Sequence, residues 1–95
     1  MSVKLLILKS YEDVIAEVTA EDINGIWVEI TNPFVTRLED DNTRIVFYPY
    51  IPLSKDKTIK IPSDWIVTIV EPIDEVKNSY LEQLNAKPEN TDSEE

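Results

Sequence analysis

The stretch from Ile61 to Pro72, IPSDWIVTIVEP, constrains this chain most, because it sets three structural signals in immediate succession. Pro62, Ser63 and Asp64 carry turn chemistry, Ile66 to Val70 form an unbroken run rich in β-branched residues, and Glu71-Pro72 prepares a helix start. A strand apolar on both faces is expected to be covered on both sides, as in a small closed barrel or at a junction between subunits.

The 95 residues are 42% hydrophobic, with two Trp, four Tyr and two Phe, enough for one small core and one domain. Without Cys the fold cannot lean on disulfides, and without Cys or His the usual soft ligands for zinc or iron are missing. No metal or other cofactor is therefore expected. In the N-terminal MSVKLLILKS the apolar run Leu5 to Leu8 is too short for a signal segment or a membrane span, which points to a soluble, cytoplasmic protein.

Nine basic and nineteen acidic residues give a net charge of −10, which repels phosphate at long range and argues against indiscriminate nucleic-acid binding. The charge is unevenly spread. Seven acids and two bases fall after Pro72, while the lysines of the body cluster at Lys55, Lys57 and Lys60.

Alternating β-branched patterns broken by turns dominate the chain up to Val70. A first strand is expected over Val3 to Lys9 and a second over Asp13 to Thr19, joined by Ser10-Tyr11-Glu12. Asp22-Ile23-Asn24-Gly25 holds the single glycine and suits a type I′ hairpin turn. A third strand runs from Ile26 through a kink at Asn32-Pro33 to about Leu38. After the polar tip Glu39 to Asn42, a fourth spans Arg44 to about Ile51, and Pro49 makes it an edge strand or a bulged one. Pro52 to Ser63 reads as a loop with a short extended piece at Thr58 to Ile61, and the fifth strand is Trp65 to Val70. Ile73, Val76, Tyr80, Leu81 and Leu84 then recur at helical spacing, so an amphipathic helix is expected over about 73–85. The final AKPENTDSEE is small, polar and acidic, which predicts a disordered tail over 87–95 after a domain of residues 1–86. Five short, bent strands with one helix match a small mainly β barrel of the SH3-like, OB or Sm-like kind; an open five-stranded sheet with one helix is the competitor, and the many short strands joined by short turns favour the barrel.

Within that pattern, Leu6 to Val18 (LILKSYEDVIAEV) is similar to the first two strands of the Sm-like (LSm) family, with Tyr11 and Ala16 at positions where that family prefers Gly and Asp22 where it carries Asp. Ile61-Pro62-Ser63, followed by Ile66 and Ile69, resembles the family's second signature with its Arg and Gly replaced. Separately, KLLILKSYEDVIAEV, TNPF and YPYIPLSKDKTIKIPSDWIVTIVEP resemble a group of small acidic proteins from tailed phages of marine cyanobacteria. The Sm-like resemblance implies a five-stranded, strongly bent barrel of Sm-like/SH3 type with a C-terminal amphipathic helix. It also implies a homo-oligomeric ring of about five to seven subunits, formed by free strand edges, and RNA or single-stranded DNA as ligand. The phage resemblance implies the cytoplasm of an infected bacterial host.

Glu39, Asp40 and Asp41 read as a solvated hairpin tip, since no glycine-containing calcium loop surrounds them. Ser10, Ser54 and Ser63 have no His to activate them and no lysine-based motif, so the chain is expected not to be an enzyme. The basic residues able to meet phosphate are Lys55, Lys57, Lys60, Arg37 and Arg44. Tyr48, Tyr50 and Trp65 are the aromatic candidates for stacking bases. Tyr48, Tyr50, Ile66, Val67, Thr68, Ile69 and Val70 are the residues expected at the subunit interface. The alternative is a phage assembly module without a nucleic-acid ligand, in which the acidic helix and tail bind a basic protein.

Overall fold

A computed structural model describes residues 2–21 and 25–86. Asp22, Ile23 and Asn24 of the expected hairpin turn and the acidic tail 87–95 lie outside the described residues. The fold is mainly β: an antiparallel sheet of six strands, β1 (Ser2–Leu8), β2 (Asp13–Glu21), β3 (Trp27–Glu39), β4 (Arg44–Pro49), β5 (Thr58–Pro62) and β6 (Ile66–Val70), followed by one helix, α1 (Asp74–Ala86). Five strands were expected from the sequence; the sixth is the extended piece at Thr58, lengthened by one residue to Pro62.

The hydrogen-bonded order is β4-β3-β2-β1-β6, with β5 added to β3 beside β4. This branching follows from the length of β3. Its 13 residues pair with β2 on one edge, while the other edge takes β5 along its first half and β4 along its second. The break between the halves is Asn32-Pro33. Ile15 faces Phe34 but Glu17 faces Thr31, so β3 carries one extra residue against β2 at the point where Asn32 adopts φ 53°. Such a bulge bends and twists the strand that holds it, and Asn tolerates the left-handed region better than most residues. Hydrogen bonding does not close the sheet: β5 and β6 meet at a corner, the 3-10 turn Ser63–Trp65, rather than pairing.

Strand alternation sorts the side chains onto two faces. Leu6 and Leu8 of β1, Val14 and Ala16 of β2, Val28, Ile30 and Val35 of β3 and Ile61 of β5 form the concave core, with Ile59, Ile66 and Ile69 packed against it. On the opposite face α1 lies over the second half of β3 and over β4. Its anchor is Tyr80, fully buried, which meets Phe34 and Phe47 edge-on at ring-centre distances of 6.1 and 6.4 Å. Its hydroxyl donates to the Asn32 carbonyl at 2.8 Å, tying the helix to the bulge. Helical spacing thus identified the anchor, but Ile73, placed in the same stripe, precedes the helix and is 65% exposed. The first helical bond runs from the Lys77 amide to the Ile73 carbonyl, so Ile73 stands just before the helix, at the rim of an open cleft that it lines with Leu5, Thr36 and Ile45 of the sheet.

The last strand also differs from its expected place between two covering layers. β6 ends the sheet path and, among the described residues, pairs only with β1, so it is not enclosed on both sides there. Ile66 and Ile69 point inward, whereas Val67 is 63% and Val70 43% exposed. Leu8 faces Ile66 and Ile7 faces Thr68, which leaves Val67 as an extra residue on β6 and breaks the strict alternation. An unbroken β-branched run therefore reflected a bulged edge strand rather than a doubly buried one.

Burial, and secondarily the negative charge of Glu17, push the Tyr80 phenol above its ordinary value of 10.0. Folding favours the neutral phenol, so this contribution to stability is complete below pH 10 and is lost as pH rises above it. A tyrosine absorbance titration should show one phenol ionising only as the protein unfolds in alkali. Ionisation of all four tyrosines in a native protein near pH 10 would contradict the buried placement.

Candidate nucleic-acid interface

The three lysines sit together where the sequence placed them, on one exposed segment. Lys55 and Lys57 lie in the β4–β5 loop, and Lys60 lies on β5 in register with Glu29. The loop is held by its own backbone. Ser54 donates its amide to the Ile51 carbonyl at 3.1 Å, the Asp56 amide donates to Ser54 Oγ at 2.9 Å, and the Lys57 carbonyl accepts the Asn32 amide at 2.8 Å. The last bond ties the lysine loop to the β3 bulge.

The arginines do not join them. Arg37 and Arg44 belong to the β3–β4 hairpin, and Arg44 is separated from Pro49 by five residues of strand, about 17 Å at the usual rise. Arg44 reaches Glu39 at 3.5 Å and Asp40 at 3.4 Å, while the Arg37 guanidinium stacks 5.7 Å from the centre of the Tyr48 ring. Tyr48 in turn donates its hydroxyl to Glu39 at 2.8 Å, and that hydrogen bond, with some desolvation and the charge of Glu39, raises the phenol above its usual value. Positive charge on the hairpin is thus matched by its own tip acids. Asp40, Asp41 and Asn42 all take positive φ (56°, 59° and 69°), a left-handed turn made without glycine.

Of the aromatic candidates, Tyr48 is 43% exposed on the hairpin and Trp65 41% exposed at the β5–β6 corner, so the two stand on different parts of the sheet. Tyr50 follows β4 and is half-buried against the concave core, where burial, and then the charge of Glu12, raise its phenol. It is the one aromatic candidate beside the lysine loop. Its amide donates to the Pro33 carbonyl at 3.1 Å, across the bulge.

The residues expected at a subunit interface divide in the same way. Ile66 and Ile69 are spent on the core, while Val67, Thr68 and Val70 are exposed on β6. Among the described residues β4 and β5 each pair with β3 alone, which leaves each a free edge there. Among the described residues no group of three acidic, His or Cys side chains could hold a metal ion, and no helix is long and apolar enough to cross a membrane.

Asn32 and Asp56 were not singled out from the sequence as binding residues. Asn32-Pro33 carried a visible signal, read there only as a kink. Together with Pro33, Pro52, Tyr50 and Lys57 these two residues line a cavity of about 240 Å³ between the bulge and the lysine loop. No curated protein matches the sequence. A family model, described as a family of unknown function (DUF6561), matches residues 1–85, and the chain belongs to that family.

Proposed function

We propose that the chain is a non-enzymatic, ring-forming scaffold of the Sm-like type that holds single-stranded RNA or DNA. The observation that carries this reading is the pair of free edges at the two ends of the bent sheet. β6 offers exposed Val67 and Val70 at one end, and the β4–β5 edge is open at the other. Edges that differ from one another pair head to tail, and a head-to-tail contact with a fixed rotation closes into a ring. The sharply bent β3, the return of β6 onto β1 and the 3-10 corner between β5 and β6 support an Sm-like or SH3-type barrel as the unit. The resemblance to small acidic phage proteins makes the cytoplasm of an infected bacterium its setting.

In such a ring the Lys55, Lys57 and Lys60 segments recur once per subunit, so a modest cationic patch gains strength through multivalency. A titration of labelled single strands at two salt concentrations tests the reading. Affinity should fall steeply with salt, and replacing all three lysines by alanine should flatten the log–log slope by about 2, at roughly 0.7 per lost phosphate contact. Failure of the parent protein to bind RNA or DNA at low salt would contradict the nucleic-acid role. The net charge of −10 would then favour the second reading, an assembly module that binds a basic protein.

A further inference from the structure

We infer that the cavity between the β3 bulge and the β4–β5 loop is a pocket for one nucleobase carrying an exocyclic amino group, with the adjoining phosphate on Lys57; this rests on the nucleic-acid reading above and gives it a specific contact. The volume, about 240 Å³, equals that of roughly eight waters, the scale of a single heterocycle rather than of a peptide or a lipid chain. Pro33, Pro52 and Tyr50 are among its lining residues and supply apolar surface against which a planar ring can pack.

Three polar groups give the cavity direction. Asn32 has both main-chain groups committed, its amide to the Lys57 carbonyl and its carbonyl to the Tyr80 hydroxyl, each at 2.8 Å. Its side-chain amide, held on a fixed backbone, is the group left to meet a ligand, and it offers a donor and an acceptor side by side. The Asp56 carboxylate only accepts, so the ring edge it meets must donate, as the N4 amino group of cytosine does to acidic side chains. The main chain at Asp56 is held by a hydrogen bond that its backbone N–H donates to Ser54 Oγ. Lys57, exposed on the same wall with Lys55 two residues away, supplies the positive charge that a nucleotide's phosphate needs. Apolar surface, a fixed amide, an acceptor and a cation on one small cavity are the complement of an amino-bearing nucleotide.

The test uses the full chain and simple probes. Cytidine and uridine monophosphates are titrated against labelled protein, and backbone amide shifts are followed by NMR. Cytidine monophosphate should shift Asn32, Tyr50, Asp56 and Lys57 and bind about five to ten times more tightly than the uridine compound, and Asp56→Asn should erase most of that difference. Asn32→Gly removes the amide while suiting the positive φ, so the fold should survive. It should weaken cytidine-rich single strands about five- to tenfold per occupied pocket with an unchanged salt slope, whereas Lys57→Ala should lower the slope. Equal binding of the two monophosphates, or shifts confined to other parts of the sheet, would overturn the pocket. Strands that bind the parent and the folded Asn32→Gly variant equally would overturn it while sparing the nucleic-acid reading. Shifts at the kink with no strand binding would keep the pocket as a nucleotide site and overturn its role in holding a strand.

Discussion

Tyr80→Ala should lower stability by about 3–5 kcal/mol, the cost usual for emptying a large buried aromatic site. The ring is fully buried, meets Phe34 and Phe47 edge-on, and is the one fully buried residue of α1 among those described. A loss of that size is a large share of the roughly 5–15 kcal/mol that holds a small domain together, so the variant should melt far earlier or fail to fold. Tyr80→Phe separates packing from hydrogen bonding. It keeps the edge-on contacts and removes only the bond to the Asn32 carbonyl, for an expected cost of about 1 kcal/mol. Urea unfolding of both variants checks this, and a Tyr80→Ala protein as stable as the parent would mean that α1 does not pack where it is placed.

Val67→Lys is expected to have the second large effect, and of a different kind. At 63% exposure the side chain is free to carry a charge in an isolated subunit, where surface changes usually fall within about 0.5 kcal/mol. At a paired edge the same charge would be desolvated without a partner, a cost of a few kcal/mol. The variant should therefore keep its circular dichroism spectrum and melting behaviour as a subunit while its association weakens by about 100-fold or more. A variant that stays fully assembled would remove β6 from the interface.

The sequence was most legible where periodicity and turn chemistry agreed. β1 to β4 fell within about two residues of their expected bounds, and α1 begins at Asp74 after a buried Pro72, as the change to helical spacing required. Pro49 ends β4 on a free edge, which matches a residue with no amide to donate. What the pattern could not convey was which neighbour covers a strand. Ile66 to Val70 looks doubly buried because β-branched residues fill both faces, yet a bulge and an end position in the sheet leave Val67 and Val70 exposed. Burial is a property of partners distant in sequence, so one segment read alone does not report it. The same reason hid the pocket: Asn32, Tyr50 and Asp56 converge only because β3 bends and its second half pairs with β4. Arg37 and Arg44 were grouped with the lysines on charge alone, and the hairpin register, which sets Arg44 opposite Glu39, separates them.

The mass of the assembled particle tests the central claim most directly. Light scattering on the purified full chain at micromolar concentration should give a single species of about five to seven times the 11.0 kDa subunit, collapsing to the subunit mass with Val67→Lys. A parent protein that runs as an 11.0 kDa monomer under those conditions would contradict the ring.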